Sequence, residues 1–281
     1  MTAVGTSTPT GAAAGPAPSR SRAARAVSDG WTMTRRDLMH WAMQPVPVII
    51  GLCFPVLMVL MFGYLFGGSM SVPGGGDYRE FLLPGLFVMT VVFGLEGTMM
   101  AIATDATKGV TDRFRSMPMA PSAVVVGRGA ADLINSVVGL AVMLAVGLLV
   151  GWRWRDGVAA AGLAVALLIL LRLALVWVGI YLGLLAKRPE AVVAVQILVW
   201  PFGFLSNAFV GTDAMPAWLG TIAEWNPISA TVSATRQLFG NPGLTDSWIG
   251  QHSVLMAVGW PLILLAIFAP LAIRRYQHLG G

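Results

Sequence analysis

Six long runs of apolar residues dominate the chain, and short polar segments separate them. Each run is long enough for a helix that crosses a hydrocarbon core of about 30 Å at about 1.5 Å per residue. Lipid offers no hydrogen-bond partner to the backbone, so each run is expected to be helical. The pattern predicts an all-α polytopic membrane protein with six transmembrane helices, at about residues 46–66, 81–104, 133–150, 158–186, 191–209 and 254–273.

The chain before the first apolar run divides into two parts. Residues 1–30 are rich in Ala, Gly, Pro, Ser and Thr, and a segment of that composition cannot bury a core, so we expect a disordered cytoplasmic tail. The remainder, residues 31–281, is expected to be one transmembrane domain. At its start, Trp31, Leu38 and Met39 fall near one helical face. This spacing favours a short N-terminal interfacial helix along the membrane, with an irregular linker as the alternative.

Composition and charge agree with a membrane protein. The 281 residues are 56% hydrophobic and 11% charged, whereas a soluble domain usually carries about 25% charged residues. The net charge of +5 comes from basic residues between the apolar runs, which favours contact with lipid headgroups over nucleic acid. Their distribution predicts that both termini are cytoplasmic. Arg153 and Arg155 oppose that trend, and the intervening Trp152 and Trp154 are expected in an interfacial aromatic belt.

Side chains for catalysis or metal binding are scarce. Cys53 is the only cysteine, and His40, His252 and His278 are scattered, so no metal site and no catalytic set is expected. The chain also lacks the G-x-x-x-x-G-K-[ST] phosphate-binding motif. We therefore expect no cofactor in this chain, and a process driven by ATP would need a separate subunit.

Four polar side chains fall within the apolar runs. They are Glu96, Arg172, Gln196 and Asn207. A charge at the centre of a membrane helix costs about 2.5–3.5 kcal/mol, so such residues face protein or a polar pathway. Glu96 and Arg172 are expected to line a pathway, to pair with each other, or to lock the helix bundle structurally.

The segment after the second run carries a dense set of charges, and Pro118 is expected to end a short helix in it. Its composition suits either docking on a soluble partner or a solvated loop that only helps to set topology. We name it the coupling loop and define it by Asp105, Lys108, Gly109, Asp112, Arg113, Phe114, Arg115 and Pro118.

The segment between the fifth and sixth runs is too long for a simple turn and too apolar for a solvated loop. Apolar residues around Trp218 follow helical spacing, Trp225 extends the set, and Asn226 and Pro227 follow it. These residues predict an interfacial or re-entrant helical hairpin, which needs protein around it to satisfy its backbone.

Two motifs in these segments carry a family resemblance. The run Asp112-Arg113-Phe114-Arg115-Ser116-Met117-Pro118-Met119 resembles the cytoplasmic loop of type-2 ATP-binding-cassette (ABC) exporter permeases. The runs Asn226-Pro227-Ile228-Ser229-Ala230 and Arg236-Gln237-Leu238-Phe239-Gly240 resemble the segment before the last span of that family. The permeases of daunorubicin/doxorubicin-type drug exporters are the most similar group. The resemblance extends from about residue 31 to near the end of the chain.

The resemblance implies a particular assembly. Such permeases have six spans and cytoplasmic termini, pair as dimers, and bind two copies of a separate ABC ATPase subunit that holds ATP and Mg. The coupling loop would contact that ATPase, and the N-terminal helix would be the connecting helix of the family. Two short helices before the last span, around Trp218, Trp225, Asn226 and Pro227, would dip into the membrane from outside.

The resemblance therefore implies the permease subunit of an exporter in the cell membrane. It would form a homodimer, contact membrane lipid, and move a hydrophobic or amphipathic small molecule, such as a drug, out of the cell. A polysaccharide or lipid-linked glycan is the alternative cargo, with Trp177 and Trp200 as candidate aromatic contacts. An intramembrane enzyme or a sensor is a third hypothesis, although the intramembrane polar residues form no recognised catalytic set.

Overall fold

The computed structural model describes residues 46–65, 76–107, 121–186, 188–243 and 247–278, and isolated positions at 34, 35, 39, 43 and 72. Residues 47, 48 and 121–124 are described by their backbone alone. The predicted tail, residues 1–30, lies outside this set. Most of the predicted interfacial helix does too, but its described positions, Thr34, Arg35, Met39 and Met43, are helical.

The described segments form nine α-helices in chain order. They are α1 (Val46–Leu60, continued by a π-helical turn, Met61–Leu65), α2 (Tyr78–Thr107), α3 (Pro121–Val150), α4 (Gly157–Ala186), α5 (Pro189–Phe204), α6 (Ala217–Glu224), α7 (Pro227–Phe239), α8 (Trp248–Gln251) and α9 (Ser253–His278). A 3-10 turn, Thr212–Ala214, precedes α6. The predicted all-helical fold is confirmed for the described residues.

Four of these helices have the length and apolarity that a membrane span requires. They lie at Tyr78–Thr107, Val125–Val150, Gly157–Ala186 and Ser253–His278. The first and fifth predicted spans correspond to shorter apolar helices, at Ile49–Leu65 and Pro189–Phe204. The crossing of the membrane by these two, and so the total of six, stays a prediction.

The third helix is longer than its predicted span, residues 133–150. The helix begins at Pro121 instead of residue 133 and carries Arg128 and Asp132 in its interior. Arg128 Nη1 lies 3.0 Å from Asp105 Oδ2 on α2, and Arg128 Nε lies 3.9 Å from Asp132 Oδ1. These charges lie before the predicted start of the span, and they compensate one another within the protein, so the helix runs through them.

The fifth helix, in contrast, ends before the predicted end of its span at residue 209. The helix stops at Phe204, and Asn207 lies beyond it in a series of tight turns. The Leu205 amide bonds to the Pro201 carbonyl, and Ser206 Oγ donates to the Gly203 carbonyl at 2.6 Å. These local bonds satisfy the last carbonyls of the helix and turn the chain, although the sequence stays apolar.

The helices pack around α4, which contacts α2 and α9 extensively. Leu168, Leu171 and Ile180 of α4 are buried, as are Leu82 and Phe87 of α2. In contrast, α1, α5 and α9 present long rows of exposed aliphatic side chains, which suits a surface in contact with lipid or another apolar partner.

Glycine residues allow the closest helix approaches. At Gly85, an added Cβ would lie 2.8 Å from the Cα atom of Ala208, which follows α5. At Gly183 on α4, an added Cβ would lie 3.0 Å from the Met99 carbonyl oxygen on α2. Small residues at such crossings let backbones pack tightly where the hydrophobic effect between helices is weak.

Gly85→Ala is expected to destabilise the protein by about 1–3 kcal/mol, because overpacking against backbone cannot be relieved by a rotamer change. Gly97→Ala on the same helix is the matched control, since a Cβ there meets no atom within 4 Å. Thermal unfolding of the purified proteins in detergent measures both. Equal midpoints for the two variants would contradict the close approach at Gly85.

Candidate functional site

The two ionisable side chains predicted inside the membrane lie on separate sides of α2. Arg172 of α4 packs on Gly94 and Thr98 of α2, whereas Glu96 points toward α5. Residues two positions apart on a helix are separated by about 200° around its axis. This rotation keeps Glu96 away from Arg172, and each has its own partner instead of pairing with the other.

Arg172 connects three helices. Its guanidinium donates from Nε to Ser136 Oγ on α3 at 2.6 Å and from Nη2 to Thr98 Oγ1 on α2 at 2.9 Å. Asp132 of α3 acts on it electrostatically. The side chain is 4% exposed, and an added Cβ at Gly94 would lie 3.0 Å from its Cζ. The geometry is that of a structural tie among α2, α3 and α4.

Glu96 and Gln196 form a hydrogen-bonded pair between α2 and α5. The Gln196 amide nitrogen donates to Glu96 Oε2. Glu96 is only partly buried, and the neighbouring Gly97 is exposed. No cationic side chain in the described part of the chain forms an ion pair with Glu96. The pair thus presents an uncompensated carboxylate at the edge of the α2–α5 contact.

An aromatic cluster lies one helical turn from this pair, toward the Tyr78 end of α2. Phe93 of α2 and Trp200 of α5 have ring centroids 5.1 Å apart. Phe54 of α1 lies 5.5 Å from each of them. The antiparallel course of α2 and α5 puts Phe93 and Trp200 on the same side of the Glu96–Gln196 pair. The sequence analysis had singled out Trp200 alone from this cluster.

Asn207 joins the turn after α5 to α7. Its amide nitrogen Nδ2 donates to Ser233 Oγ at 2.7 Å, and its backbone N–H donates to Ser229 Oγ at 3.1 Å. Asn207 is 3% exposed. It is therefore separated from Glu96 and Gln196 and acts within the α5–α7 junction in this structure.

The predicted hairpin segment contains the two helices α6 and α7. Asn226 caps α7 by accepting a hydrogen bond from the Ile228 amide, with Pro227 in the first turn, where its missing N–H is tolerated. Asn226 Nδ2 also donates to the Phe202 carbonyl at 2.8 Å. Trp218 and Trp225 are 67% and 54% exposed. The two helices are present, while a dip of this pair into the membrane stays a prediction.

A buried polar junction at the Tyr78 end of α2 escaped the sequence analysis. Arg236 of α7 is fully buried, and its guanidinium stacks 3.6 Å from the centroid of the Phe81 ring. Its Nε donates to the Phe81 carbonyl at 2.9 Å, and its Nη2 donates to the Ala208 carbonyl at 3.1 Å. The Phe81 carbonyl lies in the first turns of α2, close to Pro84. Arg236 thereby joins α2, α7 and the chain after α5.

The prediction that Trp152 belongs to an interfacial belt is wrong. Trp152 is 1% exposed, its Nε1 donates to Asn241 Oδ1 at 2.8 Å, and its ring packs on Phe87 and Phe239. Trp154, by contrast, is 41% exposed. The indole N–H of Trp152 has its partner 89 residues further along the chain, which alternation with arginines could not reveal.

The opposite end of α2 carries the first residue of the coupling loop. Asp105 lies in the last turns of α2, where it accepts the hydrogen bond from Arg128 of α3. Thr34 Oγ1 donates to the Gly127 carbonyl at 3.0 Å, one residue before Arg128. The other residues predicted for the coupling loop lie outside the described residues: Lys108, Gly109, Asp112, Arg113, Phe114, Arg115 and Pro118.

Metal-binding groups are not clustered in the described segments. No group of three or more His, Cys, Asp or Glu side chains there could hold a metal ion. Cys53 is a free cysteine on the exposed side of α1.

Known proteins resemble this chain over nearly its whole length. The sequence model of the ABC-2 type transporter family matches residues 29–239. The daunorubicin resistance ABC transporter permease protein DrrB1 of Streptomyces coeruleorubidus is 35% identical over 92% of this chain and 89% of its own. The probable doxorubicin resistance ABC transporter permease protein DrrC of Mycobacterium tuberculosis is 22% identical over 86% and 90%. The putative transport permease ycf38 of Cyanophora paradoxa is 23% identical over 86% and 85%.

Arg172→Lys is expected to lower the free energy of unfolding by about 2 kcal/mol. Lysine keeps the charge but lacks the planar guanidinium that bonds to Ser136 and Thr98 at the same time. Arg188→Lys is the matched control at an exposed position and should leave stability unchanged. Thermal unfolding in detergent gives both values. An unchanged midpoint for Arg172→Lys would show that the tie depends on charge alone.

Trp152→Phe is expected to cost about 1–3 kcal/mol, because it keeps most of the aromatic packing and leaves Asn241 without its donor in a buried site. Trp154→Phe is the control, since its parent side chain is exposed. The comparison can be made by thermal unfolding. Equal stability of the two variants would contradict the importance of the Trp152–Asn241 bond.

Proposed function

This chain belongs to the ABC-2 type transporter family, and we propose that it is the membrane-spanning permease subunit of an ATP-driven exporter. Its cargo is a hydrophobic or amphipathic small molecule, drug-like in character, which it moves out of the cell. The observation that carries the proposal is the 35% identity, over 92% of the chain, to a permease named for daunorubicin resistance.

The energy comes from a separate ABC ATPase subunit, present in two copies, which binds ATP and Mg. The absence of a phosphate-binding motif in this sequence supports the assignment of ATP binding to a separate subunit. The coupling loop is the surface that the ATPase binds. The ion pair between Asp105 and Arg128 supports this role, because it connects the ends of α2 and α3 that flank the loop.

The topology has six spans with both termini in the cytoplasm, in the plasma membrane. Helix α1 with its π-helical turn covers Val46–Leu65, and a helix of about 20 residues spans about 30 Å. In this orientation, the Tyr78 end of α2 is outside and the Asp105 end is inside. The exposed Trp218 and Trp225 support a hairpin at the outer interface, where tryptophan is favoured.

Two copies of the chain form the pathway as a homodimer, with Glu96 and Gln196 among its lining residues. A carboxylate that is partly exposed cannot face acyl chains without a large cost, so a polar pathway or a partner must cover it. Arg172 is assigned to the bundle because it is buried and bonded to two neighbouring helices. No catalytic step is assigned to the chain, whose relatives are permeases.

A lipid-linked glycan is the second candidate cargo. The aromatic rings of Phe54, Phe93 and Trp200 favour it, because sugars also bind to aromatic faces. Trp177, the other tryptophan considered for such a path, packs in a separate cluster on α4. Transport of a labelled glycan and of a lipophilic drug by the same reconstituted complex separates the two cargoes.

Arg113→Glu is expected to reduce the rate of ATP-dependent drug transport and the affinity for the ATPase, each at least about tenfold. The reason is that a reversed charge at an interface is unfavourable for binding of the partner surface. The measurement uses the chain with its co-purified ATPase, reconstituted in liposomes. Arg274→Glu is the control, an exposed arginine near the end of α9, and should retain transport. ATP hydrolysis by the purified chain alone, or an extracellular location of residue 113 by labelling, would refute the proposal.

A further inference from the structure

Glu96 has an oxygen atom left free for a ligand. Gln196 occupies Oε2. Oε1 has no hydrogen-bond partner among the described residues, and it is not among the fully buried atoms that lack one. An open carboxylate oxygen lies near the middle of a thirty-residue apolar helix. A negative charge at that depth favours a positively charged occupant, since the surroundings offer little screening.

The surroundings of Glu96 limit what that cation can be. The neighbouring rings are aromatic, and no group of three or more His, Cys, Asp or Glu side chains in the described part of the chain could hold a metal ion. A hard inorganic cation needs several oxygen ligands, and a single carboxylate with one amide does not provide them. An organic cation needs one opposite charge and an apolar surface for its body, and both are present here.

The aromatic cluster provides that surface. The rings of Phe54, Phe93 and Trp200 lie within 5.1–5.5 Å of one another, one turn above the Glu96–Gln196 pair. Aromatic faces attract organic cations, and tryptophan attracts them most strongly. A carboxylate beside such rings is a combination that recognises a charged amine on a lipophilic body.

We propose that Glu96, Gln196 and the rings of Phe54, Phe93 and Trp200 form a recognition site for a lipophilic organic cation. This inference rests on the proposed exporter function and names the substrate class of its pathway. Glu96 selects the positive charge, Gln196 holds the carboxylate in place, and the three rings bind the apolar body.

Further aromatic rings continue from this site toward the Tyr78 end of α2. The Trp200 centroid lies 5.9 Å from that of Phe204, Phe204 lies 5.1 Å from Phe209 in a stacked arrangement, and Phe209 lies 5.3 Å from Phe62. Centroid spacings of this size are those of aromatic rings packed on one another. The series connects the site to the buried core at that end of α2, where Phe209 is 7% exposed.

Binding of two probes of equal size and opposite charge tests the site. Radiolabelled tetraphenylphosphonium and tetraphenylborate are equilibrated by dialysis with the full chain in mild detergent. Glu96→Gln is expected to weaken tetraphenylphosphonium binding at least tenfold and to leave tetraphenylborate binding no weaker. Glu190→Gln is the matched control, an exposed carboxylate in the first turn of α5, and should bind both probes as the parent does.

Several outcomes would overturn the proposal. They are an absence of tetraphenylphosphonium binding by the parent chain, equal binding by Glu96→Gln, and an equal loss of both probes in that variant with its thermal midpoint retained. If Glu96→Gln fails to fold, Trp200→Leu decides. It should weaken tetraphenylphosphonium at least threefold relative to Trp248→Leu, which removes an exposed tryptophan, and equal binding by these two variants would refute the site.

Transport separates this inference from the proposed function. The parent complex could export an uncharged lipophile with ATP while Glu96→Gln leaves tetraphenylphosphonium binding unaffected. This result would refute the cation site without refuting the exporter function. Failure of the chain to associate with any ATPase would remove the exporter, whatever the binding result.

Discussion

Lipid supplies no hydrogen-bond partner, so the polar groups on these apolar helices must be satisfied by the protein itself. The buried arginines show how this is done for most of their donors, since only Nη1 of each has no hydrogen-bond partner among the described residues. Arg172 bonds to hydroxyl groups on two neighbouring helices, and Arg236 bonds to two backbone carbonyls. Each guanidinium connects segments of the chain whose sequence patterns give no sign of that contact. Polar contacts of this kind, added to close packing at glycines such as Gly85, specify how the helices are arranged.

The two sides of α2 have different tasks as a result. The side with Gly94 and Thr98 is closed against α4 and Arg172, which makes it part of the stable bundle. The side with Phe93 and Glu96 meets α5, where the contact includes a carboxylate that stays partly exposed. In the proposed exporter, the first side holds the helix in place and the second side meets the cargo.

The two ends of α2 are fastened in different ways. At the Tyr78 end, Arg236 and the Trp152–Asn241 bond connect α2, α7 and the segment before α4 in a buried junction. At the other end, Asp105 and Arg128 form a partly exposed ion pair beside the proposed coupling loop. A force applied by an ATPase at that loop would act on α2 and α3 together, while the buried junction resists separation at the far end.

The sequence alone determined that this is a membrane protein surrounded by lipid, and it also determined the family. Run length and hydropathy indicate burial in lipid, and they correctly predicted an all-helical membrane protein. Of the six predicted spans, four correspond to helices long enough to cross a membrane. Tertiary structure decided the rest. The third span was predicted to start only after Arg128 and Asp132, and Trp152 was assigned to the interface, because local polarity cannot show a partner that is distant in the chain. The Glu96–Gln196 pair and the separation of Glu96 from Arg172 likewise depend on helix rotation and packing. A charged or polar side chain is stable inside the bundle only if another helix brings its partner, and that meeting is a property of the fold.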